Sequence, residues 1–170
     1  MTYTKEDLDN LQNIEKSYAE AKDKLTKRAC EVYLRLMTEY YLLHGDENYT
    51  TWENLSMVIA CKQELGKEKD SRLSKVTTKI EGNYIYLTSE YSSAGETDIL
   101  SGHIDNLEFL YDDQAITDWI TKKIEEDREA RKRYQEYEDL KRQERLEEQE
   151  REDFENYLRL KAKYEGKNED

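Results

Sequence analysis

The chain contains no proline, so nothing in its 170 residues forces a helix to break at an internal imide. One such residue in a helix interior would cost about 3 kcal/mol. Cysteine is nearly missing as well. Cys30 and Cys61 are the only two, they form no CxxC pair, and they supply no disulfide framework. Both are expected to be small buried hydrophobes with free thiols in a reducing cytoplasm, rather than a redox pair or a metal site. The Asn48-Tyr49-Thr50 and Asn54-Leu55-Ser56 sequons then carry no weight. No apolar run approaches the 18 residues of a membrane span, and Met1-Thr2-Tyr3-Thr4-Lys5-Glu6 has no apolar signal segment.

Histidine is limited to His44 and His103, and neither has a neighbouring histidine, cysteine or spaced carboxylate set. No metal site is therefore predicted. The sequence has no phosphate-cradling glycine loop and no nucleophile elbow. His103 next to Asp105 has the makings of a catalytic pair, but a surface histidine is the expected outcome. The expectation is a protein that is not an enzyme and takes no cofactor.

What the chain has in abundance is charge. Forty acids face 27 bases, for a formal net charge of −13. From Ile80 to Thr121 there is no lysine or arginine, while Glu81, Glu90, Glu96, Asp98, Asp105, Glu108, Asp112, Asp113 and Asp118 are all acidic. These 42 residues hold −9 of the −13; the remainder of the chain has 31 acids against 27 bases. Tyr84, Tyr86, Tyr91 and Tyr111 are interleaved with the acids. A sequence pI near 4.8 argues against direct contact with nucleic acid or an anionic membrane, both of which attract positive charge. The charged partner it suits is a basic protein surface.

Thr4 followed by Asp7 reads as an N-cap with an acid in the first helical turn. Leu8, Leu11, Ile14, Tyr18, Ala21, Leu25, Ala29, Val32, Leu36, Tyr40 and Leu43 then step by three or four, one apolar stripe on a long helix ending near His44-Gly45. Its first half is narrow, like a coiled-coil seam. Its second half is richer and is expected to enter the core. Asp46, Asn48 and Thr50 imitate the opening of a calcium loop but lack its glycine and final glutamate, which rejects calcium. Thr50-Thr51-Trp52-Glu53 predicts a capping box closed by Thr50 and Glu53. A short helix follows with Trp52, Leu55, Val58, Ile59 and Leu65 as buried positions, stopping at Gly66.

After the charged connector Lys67 to Lys75 the period changes to two. Val76, Thr78 and Ile80 alternate, Gly82-Asn83 supplies turn chemistry, and Tyr84 to Thr88 is strand by composition. Ser92-Ser93-Ala94-Gly95 predicts a second turn, and Asp98 to Ile104 a third strand with Gly102 as a possible bulge. Ile85 and Leu87 are assigned to the helix-facing side, leaving Tyr84, Tyr86, Thr88 and Glu90 outside.

Leu107, Phe109 and Leu110 return to the core, and Asp112 or Asp113 caps a last helix opening with Ile116, Trp119, Ile120 and Ile124. Its stripe is read through Ala130 and Tyr134 to Tyr137. Between Glu138 and Asp153 only Leu140 and Leu146 are apolar and charge order takes over; acid-before-base pairs spaced i, i+4 run from Asp127–Arg131 and Glu129–Arg133 to Glu138–Arg142 and Glu147–Arg151. Each contributes roughly 0.2–0.5 kcal/mol. A helix of about 50 residues would be roughly 75 Å long, so part of it must project, pair with the first helix or pair with a second chain. The basic cluster Arg128, Arg131, Lys132 and Arg133 lies among acids and reads as a salt-bridged face.

These features predict an α+β protein in the order α-α-β-β-β-α, a small three-stranded antiparallel sheet packed on helices. The long first and last helices would form a coiled-coil-like arm. Residues 1–137 would make the globular domain and 138–170 a charged extension. The candidate partner-binding surface is Tyr84, Tyr86, Glu90, Tyr91, Glu96, Asp98, Asp105, Glu108, Tyr111, Asp112 and Asp113. Carboxylates at strand spacing between tyrosines can imitate a phosphate array and its bases; the competing reading is a solvated acidic face that keeps the protein dispersed.

In overall style the chain resembles small phage-encoded inhibitors of bacterial defence, anti-CRISPR and other DNA-mimic proteins. The resemblance lies in an acidic, proline-poor, tyrosine-rich chain with a small sheet between helices, and no family motif matches. It implies a non-enzymatic inhibitor in the host bacterial cytoplasm, blocking a basic nucleic-acid-binding groove such as that of a Cas effector. The alternative is a structural or adaptor protein acting through coiled-coil helices, as a homodimer or a docking arm.

Overall fold

The computed structural model describes residues 4–44 and 51–165. Gly45, the Asp46, Asn48 and Thr50 sequence and the Thr50 half of the anticipated capping box lie outside the described residues. The chain divides into two units, Met1–Ile124 and Glu125–Asp170. The first is α+β: helices packed on one face of a three-stranded antiparallel sheet in the order β1-β2-β3.

Helix α1 (Lys5–Leu36) opens on a reciprocal capping box. The Thr4 hydroxyl accepts the Asp7 N–H at 3.2 Å, and the Asp7 carboxylate accepts the Thr4 N–H at 2.8 Å. The helix continues through a π turn (Met37–Tyr41) into one further turn, α2 (Leu42–His44). Its first half is exposed, with Leu8, Leu11, Ile14 and Tyr18 open to solvent. The richer second half enters the core through Ala29, Cys30, Val32, Tyr33, Leu36, Met37 and Tyr40.

Helix α3 (Trp52–Glu64) is capped by Thr51, whose hydroxyl accepts the Asn54 N–H at 3.4 Å. The anticipated cap was one residue earlier. The buried face is rotated accordingly: Met57, Val58, Ala60 and Cys61 are buried, whereas Trp52 and Leu55 are exposed. Small Ala60 and Cys61 let α3 approach α1. There the Cys61 thiol hydrogen-bonds to Cys30, and that bond together with burial pushes it well above the usual thiol range.

Strands β1 (Thr77–Glu81), β2 (Tyr84–Ser93) and β3 (Glu96–Ile104) form a meander. Two-residue turns set its register. Glu81 pairs with Tyr84 across Gly82-Asn83, and Ser93 with Glu96 across Ala94-Gly95. Gly82 has φ +60, the glycine-first pattern of a type II′ turn, while Ala94 (φ 52) and Gly95 (φ 89) are both left-handed, as a type I′ turn requires. Ser92 and Ser93 are strand, not turn, so β2 and β3 run on beyond the expected ends. Leu73 adds an isolated bridge to Tyr91, with Ser74 N–H bonded to the Glu90 carbonyl at 2.8 Å.

Ile85, Leu87, Leu100 and Ile104 are all at most 1% exposed, which places the core between this face and the helices. Gly102 is not a bulge, because the β2–β3 register is unbroken from Ile85↔Ile104 to Ser93↔Glu96. It is a contact point: a Cβ there would stand 2.7 Å from Cε2 and 2.9 Å from Cζ of Tyr33. The Tyr33 ring lies on bare backbone.

A 3-10 turn (Leu107–Leu110) drops Phe109 into the core. Helix α4 (Asp113–Glu165) then starts, with Asp112 Oδ1 accepting the Gln114 and Ala115 N–H groups at 2.8 and 3.2 Å. Ile116 and Ile120 are buried, and Trp119 packs edge-on against Tyr40 and Phe109. Arg28 ties this corner to α1. Its guanidinium donates to the Leu110 and Phe109 carbonyls at 2.9 and 3.1 Å and to Asp113 at 2.7 Å.

The second unit is helix alone over its described residues. Tyr134 and Tyr137, at the end of the anticipated stripe, are exposed. Among the ion pairs along this helix are Lys132–Glu136, base-first at i, i+4, and Arg128–Glu125, spaced i, i+3. No helix among the described residues is long and apolar enough to cross a membrane.

Candidate functional site: the outer face of the sheet

With Ile85, Leu87, Leu100 and Ile104 used on the inner side, strand alternation assigns the outer face. It carries Thr77, Lys79 and Glu81 from β1, Tyr84, Tyr86, Thr88 and Glu90 from β2, and Ile99, Ser101 and His103 from β3. The register sets these side chains in rows: Lys79–Tyr86–His103, Thr77–Thr88–Ser101, and Glu90 beside Ile99. Tyr84 and Tyr86 lean toward each other with ring centroids 6.3 Å apart. Ile99 is 73% exposed, an apolar side chain left open beside Glu90.

The electrostatics are milder than the sequence suggested. Lys79 forms an ion pair with Glu81, and that contact raises its pKa above the usual range for lysine. His103 Nε2 is 3.3 Å from Asp105, with both side chains more than half exposed. The pair is open to water, and its carboxylate meets Nε2. Glu90 borders a shallow cleft with Ser74, Lys75, Thr77, Thr88, Ser89 and Ile99, where the chain between Leu73 and β1 separates from β2. Glu90 thus has Lys75 for a neighbour.

Of the eleven residues expected to form one acidic surface, Tyr84, Tyr86, Glu90 and Asp105 come together here. Tyr91 has the parity of Ile85 and Leu87, so it turns inward. It meets Trp52 edge-on at 5.0 Å, with the Arg72 guanidinium 5.1 Å from its ring centre. Glu96 and Asp98 are exposed but share the side of Leu100, opposite Glu90. Glu108 and Tyr111 belong to the 3-10 turn and its exit. Asp112 is spent as the cap of α4. Asp113 is bound by Arg28, which holds its carboxyl below the usual carboxylate range, with Arg35 at 3.9 Å. Acids adjacent in sequence are thereby distributed over several surfaces and partly neutralised.

Sequence reasoning missed Lys79, Ile99, Ser101 and His103 as members of the face. The signal was available in the turns: two-residue loops at Gly82-Asn83 and Ala94-Gly95 dictate every cross-strand partner. Among the described residues no group of three or more histidine, cysteine or acidic side chains is placed to hold a metal ion. Comparison with protein families, with curated proteins and with solved structures finds no match to the chain.

Proposed function

We propose that this chain is a non-enzymatic binding protein whose outer sheet face docks on a basic protein surface. One observation carries the reading: Tyr84 and Tyr86 stand exposed on the central strand, with Glu81, Glu90 and Asp105 around them, against Lys79, already paired with Glu81, and Lys75 beside Glu90. Paired tyrosines are rigid, amphipathic anchors of the kind that dominate interfaces, and carboxylates at the rim steer a positive partner. Within that class the narrower reading is an inhibitor of a nucleic-acid-binding protein such as a CRISPR effector, acting in a bacterial cytoplasm. Its support is the likeness of style to phage-encoded DNA mimics, and the distribution of Glu96, Asp98, Asp112 and Asp113 away from the face narrows the mimicry to Glu81, Glu90 and Asp105.

The test is binding of the full chain to a Cas nuclease and to other basic nucleic-acid-binding proteins over a range of salt. Tyr84→Ala with Tyr86→Ala should weaken binding by about 30-fold or more, the loss of at least one aromatic anchor. Glu90→Gln with Asp105→Asn should slow association and flatten the salt dependence. Unchanged affinity in both variants would overturn the reading.

A second reading, an adaptor acting through its helices, is favoured by Leu8, Leu11, Ile14 and Tyr18 in α1 and by Phe154, Tyr157 and Leu158 in α4, apolar side chains exposed at helical spacing. It is separated from the first by deleting Glu138–Asp170, which should abolish partner binding on the adaptor reading and leave sheet-face binding intact.

A further inference from the structure

The two edges of the sheet are unequal. β1 is short, bears the Lys79–Glu81 pair, and has α1 beside it, with Thr26 hydrogen-bonded to Thr78 at 2.9 Å. Short length, charge and a covering helix are the usual protections of an exposed strand. β3 has no such ion pair along it, and its charges, Glu96 and Asp98, are confined to its first half. It is nine residues long, from Glu96 to Ile104, with no lysine, proline or bulge, and its register with β2 is unbroken. Among the described residues its backbone hydrogen bonds go to β2, and none reaches its other edge. Thr97, Ile99, Ser101 and His103 are exposed along that strand. A regular strand with an open row of N–H and C=O groups is a template for one more strand.

We propose that the free edge of β3 pairs antiparallel with β3 of a second copy of this chain, joining two three-stranded sheets into one continuous sheet. The placement of charge and of Ile99 selects this occupant. The acids of β3, Glu96 and Asp98, sit in its first half only. Parallel self-pairing would lay them beside their own counterparts, which is destabilising. Antiparallel pairing about Leu100 uses all nine residues and sets Glu96 opposite the partner's Ile104 and Asp98 opposite the partner's Gly102. No carboxylates then face each other. Thr97 falls opposite the partner's His103, and Ile99 opposite the partner's Ser101, diagonal to the partner's Ile99. The one large apolar side chain exposed on the strand is thereby covered by its own copy. A slip of one residue would turn the inner faces outward, so only even shifts compete, and each leaves strand ends unpaired. Both sets of helices lie on the same side of the joined sheet, and the outer faces with Tyr84 and Tyr86 become continuous. This inference does not depend on what those faces bind.

The test is sedimentation of the full chain from low micromolar to near-millimolar concentration, with hydrogen exchange at both ends of that range. The expected result is a reversible dimer, with the outward amides of β3 protected only at high concentration. Ile99→Lys places two ammonium groups near the two-fold axis and should raise Kd by about tenfold or more. Ser101→Lys, opposite the partner's Ile99, should act in the same direction and serves if the first variant folds poorly by circular dichroism. Thr77→Lys, on the other edge, should leave Kd unchanged. A chain that stays monomeric throughout, or a dimer indifferent to both β3 lysines, would overturn the proposal.

Discussion

Gly102→Ala isolates the contact on which the core closes. The new Cβ would stand 2.7 and 2.9 Å from two ring carbons of Tyr33, against the ~3.5–4.0 Å of ordinary carbon contacts. The ring must therefore retreat by roughly an ångström. Tyr33 is only 4% exposed and sits among Leu36, Met37 and Cys61, so no solvent side is open to it. Overpacking of this kind costs about 1–3 kcal/mol. Replacing a strand glycine by alanine returns about 0.5–1 kcal/mol of backbone entropy. The net expectation is a loss of about 1–2 kcal/mol, a fall of about 0.5–1.5 M in the urea midpoint. Both tryptophans, Trp52 and Trp119, lie in the first unit, so their fluorescence reports its unfolding selectively. The double-mutant cycle supplies the decisive sign. With Tyr33→Leu in place, Gly102→Ala should be neutral or stabilising. If Gly102→Ala stabilises the unmodified chain, or costs the same in both backgrounds, the ring contact is not the reason for this glycine.

Arg28→Ala removes three hydrogen bonds that join α1 to the Leu107–Leu110 turn and the start of α4, and should cost about 2 kcal/mol in the same urea assay, with Arg28→Lys recovering little because an ammonium cannot span both carbonyls and Asp113. Ala94→Asn should stabilise by about 0.5–1 kcal/mol, since Ala94 has φ 52 and asparagine tolerates the left-handed region better. The Asp70 carboxyl, held by hydrogen bonds from Arg72, should titrate near pH 2 by NMR, and Arg72→Ala should move it toward about 3.9. Because this pKa is depressed on folding, its contribution is present above the unfolded value and disappears as pH falls through about 2. Cys30 and Cys61, both fully buried, should be silent to a thiol reagent in the folded chain and react only as the urea transition proceeds.

Much of the fold was legible locally. The Thr4–Asp7 box, the long stripe of α1, the two hairpin turns and the Asp112 cap are each decided by residues a few positions apart. Short-range hydrogen bonding and backbone preference act at that distance. Where three candidate readings were local but adjacent, the structure chose a neighbour: Thr51 over Thr50 as cap, Ala94-Gly95 over the four-residue turn, and Met57, Ala60 and Cys61 over Trp52 and Leu55 as the buried side of α3. A 13-residue helix with apolar groups on more than one side does not declare which stripe is buried until α1 and the sheet are in place.

The candidate site was harder to read, because charge along a sequence and charge on a surface are different quantities. The acid-rich window is real, yet Asp113 is answered by Arg28 from α1, 85 residues away, and Lys79 from outside the window lands on the face beside Tyr86. Gly102 reads as a bulge in one strand and proves to be the seat of a ring from a helix. By itself the sequence determined the periods, the caps, the turns and hence the order and alternation of the elements, all of which rest on nearest-neighbour geometry. Only the tertiary structure decided which acids stay free, which face of α3 is buried and which strand edge is left open, because each depends on side chains brought together from distant parts of the chain.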